Sequence, residues 1–140
     1  MSPMDQVFKA YDVRGTVPDQ LNADMCRAIG QAMARFADVP EILVARDMRE
    51  SGVELSAAFS DGVRSEGVGV TDLGMASTDF LYFASGHLDA PGAMFTASHN
   101  PAQYNGMKLC LGGGSASQES RRQLKKATQL YLKLSGVSWL

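Results

Sequence analysis

The sequence predicts an α/β fold: a three-layer sandwich in which a mixed four-stranded sheet, mostly parallel with one antiparallel edge strand, is covered by helices on both faces. Short apolar runs of strand length alternate along the chain with longer segments whose apolar residues recur at helical spacing. The last two apolar runs are separated by a polar loop of only about ten residues, too short for the helical crossover that usually joins parallel neighbours. At 140 residues the chain is long enough for one such domain.

The amino-acid composition indicates a globular protein rather than a nucleic-acid-binding or membrane-spanning one. Hydrophobic residues make up 45% and charged residues 20%, with a formal net charge of -2, which is typical of a globular protein. There is no basic excess to indicate nucleic acid, and no run approaches the ~20 apolar residues that would predict a membrane span. Cys26 and Cys110 lack zinc-type spacing and are predicted to be reduced, buried thiols. Together with the absence of a signal-peptide pattern, this predicts a cytoplasmic protein.

The first half of the chain predicts a helix, a strand and a second helix. Apolar residues recur at helical spacing over 22–37, and Asn22 is placed to cap the first turn. The apolar run over 41–45 is typical of a strand buried on both faces. Ser51 and Glu54 have the spacing of a capping box, which predicts the start of the second helix.

The second half continues the alternation. A strand is predicted over 67–73, and a helix capped by Ser77 or Thr78 follows it. The third strand is predicted over 93–96 and the fourth, antiparallel strand over 107–111.

The end of the chain predicts a loop and a last helix. The glycine- and serine-rich segment 112–117 indicates a flexible turn or linker. Apolar residues at helical spacing predict a final helix over 119–134. In such a fold the functional loops are expected at the carboxyl ends of the strands.

The segment Thr96-Ala-Ser-His-Asn-Pro101 directly follows the third predicted strand. Asn100-Pro101 favours a sharp turn that would leave Ser98 exposed in the crevice where α/β proteins bind ligands. By spacing alone, a polar turn without chemistry explains the segment as well, because no Gly-x-Ser-x-Gly elbow surrounds the serine.

The identity and order of the residues in this segment are more informative than their spacing. Thr96–Pro101, followed by Tyr104-Asn-Gly-Met-Lys108, resembles the phosphoserine loop of the α-D-phosphohexomutases, the phosphoglucomutase/phosphomannomutase family. Phe8-Lys-Ala-Tyr-Asp-Val-Arg-Gly15 resembles the family's N-terminal Tyr-Asp-Ile-Arg-Gly segment. Asp47-Met-Arg-Glu-Ser-Gly52 resembles its Gly-x-Asp-x-Arg-x-Ser-Gly segment, with Ala45 at the first glycine position. Three motifs in family order identify the chain as similar to this family's first domain.

The resemblance implies a role for each matching residue. Ser98 would carry a phosphoryl group and exchange it with a hexose phosphate, moving phosphate between the 1- and 6-positions through a bisphosphate intermediate. Arg14 and Lys108 would lie against the sugar hydroxyl that attacks or leaves, and one of them would move its proton. Arginine is a poor proton carrier, so Arg14 is expected to orient and neutralise charge. Two alternatives stay open: a solvated strand-edge lysine for Lys108, and an ion pair with Asp12 or Asp47 for Arg14.

The remaining motif residues are expected to support the serine. His99 either hydrogen-bonds a phosphoryl oxygen or holds the loop. Arg49 is expected to fix the neighbouring loop through ion pairing. The residues expected to shape the turn are Asn100, Pro101, Tyr104, Asn105 and Gly106.

The resemblance also implies parts that this sequence does not contain. Family members have four domains, and residues 1–140 match only the first, with the phosphoserine loop at 96–101. Mg²⁺ would be held by a phosphate oxygen on Ser98 together with ligands outside this chain, so weak or no magnesium binding and no turnover are expected of the chain alone. Preference among glucose, mannose and glucosamine phosphates stays open. The alternative function is a binding or regulatory module that has lost catalysis.

Overall fold

A computed structural model describes residues 3–9, 12–111 and 118–135, in which helices and strands largely alternate. The elements in chain order are α1 Pro3–Val7, β1 Val13–Thr16, α2 Ala23–Ala37, β2 Glu41–Arg46, α3 Ser51–Ser65, β3 Gly69–Met75, α4 Thr78–Leu88, β4 Gly92–Phe95, β5 Tyr104–Cys110 and α5 Gln118–Ser135. The linker predicted over 112–117 lies outside the described residues, as do positions 10 and 11 of the N-terminal motif.

The sheet is mixed and has five strands in the order β1-β5-β4-β2-β3. β2 is parallel to β3 and β4, whereas β5 is antiparallel to β4 and to β1. The α/β class and the antiparallel direction of the last strand are confirmed. The count of four strands and the edge position of the last strand are wrong, because β1 pairs with the far side of β5. Its residues alternate between buried and half-buried in the structure, but Val13-Arg-Gly-Thr16 contains a single large apolar residue, so its sequence does not indicate a strand without the pairing to β5.

Helices cover both faces of the sheet, as predicted. Ile42 and Val44 of β2 pack into one apolar cluster with residues of α2, α3 and α5. Leu43 and Ala45 point the other way and pack with Leu81 of α4. This alternation along one strand, with all four residues buried, is the signature of a central strand in a three-layer sandwich.

Helices α2 and α3 approach each other closely at two glycines. A Cβ on Gly30 would lie 2.2 Å from the carbonyl oxygen of Phe59, and one on Gly62 would lie 2.1 Å from that of Arg27. Neither position has room for a side chain. This close packing fixes α3, and therefore the segment that precedes it, against the rest of the domain.

The start of α2 agrees with the sequence prediction, whereas the start of α3 does not. Asn22 Oδ1 accepts a hydrogen bond from Met25 N at 2.9 Å, as an N-cap does. The capping box predicted for Ser51 and Glu54 is wrong, since α3 begins after Glu50 without a side-chain cap. The hydroxyl of Ser51 instead accepts a hydrogen bond from Asn105 in β5.

Across the described ranges 3–9, 12–111 and 118–135, no helix combines the length and apolar character that crossing a bilayer requires.

Candidate active site

Ser98 lies in the loop that follows β4, where its side chain is exposed to solvent. Its backbone has a φ of 53°, in the left-handed region. That conformation costs a non-glycine residue roughly 1 kcal/mol or more, and such outliers concentrate at functional sites. The loop therefore holds Ser98 outward in a backbone conformation that serine does not favour by itself.

Hydrogen bonds from the end of β2 reach the amide of Ser98. Thr96 Oγ1 donates to Asp47 Oδ2 at 2.7 Å and accepts from Ser98 N at 3.1 Å. Asp47 N in turn donates to the carbonyl oxygen of Phe95 at 2.9 Å. The motifs at 47–52 and 96–101 are therefore joined by side-chain contacts as well as by the sheet.

The guanidinium of Arg49 holds the carbonyl groups of the serine loop. Nη2 donates to the oxygens of Ser98 at 2.9 Å and Asn100 at 2.8 Å, while Nη1 donates to those of Pro101 at 2.7 Å and Tyr104 at 3.0 Å. The side chain is only 8% exposed, and its Nε lies 3.4 Å from Asp47 Oδ2. The ion pair that the sequence suggested is present, but these four carbonyl contacts bring Arg49 to the loop.

Arg14 and Lys108 occupy diagonal positions on one face of the sheet. Arg14 in β1 is opposite Gly106 in β5, and Lys108 lies two residues further along β5, opposite Met94 of β4. Since side chains alternate along a strand, both project from the face that α4 covers further along the sheet. The register places Arg14 level with the start of the serine loop, because Thr96 N donates to the carbonyl oxygen of Gly106 at 3.0 Å.

The electrostatic partners of these two cations differ. The side chain of Arg14 is 34% exposed and its Nη1 lies 4.0 Å from Asp12 Oδ2, so the alternative of an ion pair with Asp12 is met only at the distance limit. Asp47 is paired with Arg49 instead. The side chain of Lys108 is half-buried and has neither a hydrogen bond nor an ion pair with any residue that the structure describes.

Asn105 and Gly106 fix β5 on both sides. Asn105 is fully buried, donates through Nδ2 to Ser51 Oγ at 2.8 Å, and accepts from Gly106 N at 2.8 Å. A Cβ on Gly106 would lie 2.0 Å from the carbonyl oxygen of Val13, so only glycine lets β1 pair at this point. The sequence suggested that both residues shape the loop, and the contacts place them in β5, on which the loop ends.

The other predicted loop residues lie around Ser98 in different ways. Asn100 donates from its backbone at 3.0 Å and from Nδ2 at 2.8 Å to the carbonyl oxygen of Ala97, closing a tight turn. Tyr104 N donates to the carbonyl oxygen of Pro101 at 3.0 Å. His99 is exposed, and among the described residues its ring has no partner.

An open groove of about 880 Å³ adjoins the loop. It is lined by Arg49, by the first residues of α3 and by Asn100 and Gln103, but not by Ser98, Arg14 or Lys108. The groove therefore lies beside Ser98, Arg14 and Lys108 rather than around them.

The carboxylate, imidazole and thiol groups of the described residues are dispersed or buried. Within the described ranges, no three His, Cys, Asp or Glu side chains cluster as a metal site would require, so this set of donors does not by itself fit a Mg²⁺ ion. Cys26 and Cys110 are free and buried, as the sequence predicted. Burial raises the pKa of both thiols, although hydrogen bonds with Ser85 and Gly92 partly offset the rise at Cys110.

Comparison with known proteins gives a consistent result. Residues 5–133 match the family described as "Phosphoglucomutase/phosphomannomutase, alpha/beta/alpha domain I". The chain is 48% identical over 103 residues to the phosphohexose mutases of Xanthomonas campestris pv. campestris (strain B100), and 43% identical over 107 residues to the phosphomannomutase of Escherichia coli (strain K12). These alignments cover 73% and 76% of this chain but only 23% and 24% of those proteins.

A solved structure agrees with the sequence comparisons. A phosphoglucomutase/phosphomannomutase family protein from Burkholderia thailandensis superposes with a TM-score of 0.82 at 36% identity, over 92% of this chain and 30% of that chain. The fold and the sequence therefore point to the same group of proteins, of which this chain spans about a quarter of the length.

Proposed function

The chain belongs to the phosphoglucomutase/phosphomannomutase family, as its α/β/α domain I, and from that premise we propose that Ser98 is a phosphoryl carrier for a phosphohexomutase reaction. One observation supports this most strongly. Ser98 is exposed in a left-handed conformation, at the carboxyl end of a buried strand, with both its amide and its carbonyl group hydrogen-bonded. A nucleophile that must repeatedly give and take a phosphoryl group needs such fixed placement.

The proposed step is an exchange between Ser98 and a sugar hydroxyl. The hydroxyl oxygen of a hexose monophosphate forms a bond to the phosphorus as the bond to Ser98 Oγ breaks, and the hydroxyl proton is released. Lys108 Nζ takes up that proton and returns it on reversal, and Arg14 offsets the charge on the phosphoryl oxygens. Reversal with the other phosphate of the resulting bisphosphate restores phosphoserine, which gives net transfer between the 1- and 6-positions.

His99 and Arg49 have different parts in this proposal. His99 is free to donate a hydrogen bond to a phosphoryl oxygen, since its ring has no partner among the described residues. Arg49 keeps the loop closed through its carbonyl contacts and does not meet the substrate.

The remainder of the reaction depends on more than this chain. In this proposal a phosphoryl group on Ser98 would supply one oxygen ligand to Mg²⁺, which would help to offset phosphoryl charge, and the other ligands would come from outside residues 1–140. The substrate is a hexose phosphate, and the other domains of the full-length enzyme bind its sugar and distal phosphate. We therefore expect the isolated chain to fold in the cytoplasm and carry phosphate without completing a turnover.

Intact-mass measurement tests the carrier role. The mass of the chain is measured as purified and again after incubation with a hexose 1,6-bisphosphate. The wild-type chain should gain one phosphoryl group, and Ser98→Ala should gain none. Ser56→Ala is the matched control, since it removes another serine hydroxyl that donates only to its own helix, at Val53 O, and it should be phosphorylated like the wild type. A Ser98→Ala chain that takes up phosphate as the wild type does would rule out Ser98 as the carrier. A wild-type chain that takes up none favours the non-catalytic module.

A further inference from the structure

Asp47 is linked to the amide of Ser98 by a hydrogen-bonded relay. Thr96 Oγ1 lies 2.7 Å from Asp47 Oδ2 and 3.1 Å from Ser98 N. A carboxylate only accepts hydrogen bonds and a hydroxyl has a single proton, so that proton must point to Asp47. The lone pairs of Thr96 Oγ1 are then left to face Ser98, and its N–H donates to them. The carboxylate thus sets the direction of the hydroxyl, and the hydroxyl sets the direction of the peptide.

The same carboxylate is also linked to the carbonyl group of Ser98. Arg49 Nη2 donates to Ser98 O at 2.9 Å, while Arg49 Nε lies 3.4 Å from Asp47 Oδ2. In addition, Arg49 N donates to Asp47 Oδ1 at 3.0 Å. Both polar backbone groups of Ser98 therefore connect to one side chain through one intermediary each.

Asp47 is itself held by the sheet rather than by the loop. It directly follows β2, and its N–H donates to the carbonyl oxygen of Phe95 in β4 at 2.9 Å. Its side chain is 16% exposed, so water competes little for the two oxygens. An anchor on a rigid element transmits its position to the loop better than another loop residue would.

We propose that Asp47 is the positioning residue of Ser98, acting on its amide through Thr96 and on its carbonyl group through Arg49. This inference rests on the proposed function, since the purpose of the relay is to present Ser98 Oγ for phosphoryl exchange. With the relay broken, the backbone of Ser98 relaxes from its left-handed conformation, and a hydroxyl misplaced by about 1 Å loses rate.

The test compares two substitutions of Thr96 with one of a distant threonine. Thr96→Val keeps the shape and removes the hydroxyl, whereas Thr96→Ser keeps the hydroxyl. Thr128→Val is the matched control, because Thr128 is also buried and hydrogen-bonded, donating to Leu124 O at 2.8 Å in α5. Each variant is measured by NMR-detected hydrogen exchange of the Ser98 amide, by the initial rate of phosphoryl uptake from a hexose 1,6-bisphosphate, and by urea unfolding.

We expect Thr96→Val to speed exchange of the Ser98 amide and slow phosphoryl uptake, each by about fivefold, the factor that one lost hydrogen bond produces. Thr96→Ser should restore both rates, and Thr128→Val should change neither even where it lowers stability equally. Asp47→Asn should slow phosphoryl uptake in the wild-type chain, and by a smaller factor in the Thr96→Val chain, since the two residues share one path.

Two results overturn the inference: an unchanged Ser98 amide in Thr96→Val, or equal effects of Thr96→Val and Thr128→Val. Failure of the proposed function looks different, because the wild-type chain then takes up no phosphate. In that case the Ser98 amide alone decides whether Asp47 and Thr96 position the serine.

Discussion

Replacing Gly106 with alanine should separate β1 from β5. The new Cβ would lie 2.0 Å from the carbonyl oxygen of Val13 and 2.9 Å from the Cα of Arg14. Both atoms belong to the backbone of β1, so no side chain can turn away to make room. To reach an ordinary contact, the strand must retreat by more than about 1 Å, which is too far for its hydrogen bonds to survive.

The size of the effect follows from the length of the ladder. β1 and β5 pair over four positions, from Val13 opposite Met107 to Thr16 opposite Tyr104. At about 1 kcal/mol for each hydrogen bond lost, disruption of roughly two to four bonds lowers the free energy of unfolding by ~2–4 kcal/mol. The entropic benefit of replacing glycine offsets less than about 1 kcal/mol of this loss.

Urea unfolding followed by circular dichroism measures the loss, with Gly52→Ala as the control. A Cβ on Gly52 would meet its neighbours at 3.6 Å, an ordinary contact, and the residue lies in α3, where alanine is favoured over glycine. Gly52→Ala should therefore be neutral or stabilising by up to about 1 kcal/mol. If Gly106→Ala unfolds within about 0.5 kcal/mol of the wild type, the close approach of β1 does not hold, and the placement of Arg14 that depends on it fails too.

Three further changes test other parts of the molecule. Ser98→Gly should raise the thermal unfolding temperature by an amount corresponding to about 1 kcal/mol, because glycine adopts the left-handed backbone without strain. Ser98→Ala should not raise it, and equal unfolding temperatures of the two variants would show that the backbone of Ser98 is not strained. Arg49→Lys should cost about 2 kcal/mol in urea unfolding, since an ammonium group cannot match the fork that reaches four carbonyl oxygens; a chain of wild-type stability would show that water replaces those contacts freely. Burial raises the pKa of Cys26 and Cys110, so as pH rises through about 8.5 these thiols ionise in the unfolded chain before they do so in the folded one. Their contribution to the free energy of unfolding is therefore complete below that pH. Above it, the free energy of unfolding should fall by up to ~1.4 kcal/mol per pH unit for each thiol. Urea unfolding of Cys26→Ala across that range should show a shallower slope, and an unchanged slope would assign the pH dependence elsewhere.

The centre of the sheet could be predicted from sequence because its strands are buried on both faces. The four residues over 42–45 are all apolar, and their burial on both faces follows from that pattern. The direction of β5 followed from the length of the loop before it. β1 could not be predicted in the same way, because Val13–Thr16 includes an arginine and a glycine and becomes a strand only where β5 offers a free side.

Only part of the candidate site could be predicted from the sequence. Ser98, Lys108 and Arg14 could be identified from the residues of their motifs. The link from Asp47 to Thr96 could not, since it joins side chains 49 positions apart. The capping box predicted at Ser51 was wrong for the same reason. The hydroxyl of Ser51 accepts a hydrogen bond from Asn105, 54 positions away, instead of capping its own helix.

The outer position of β1 has a consequence for solubility. β5 is seven residues long and mostly buried, and β1 occupies the side of it that would otherwise present unpaired backbone groups to other molecules. Proteolytic trimming of the chain up to Thr16 would uncover that side and turn β5 into a template on which further copies could add strands. Loss of Arg14 from the candidate site and a tendency to aggregate would then arise together, from a single cut.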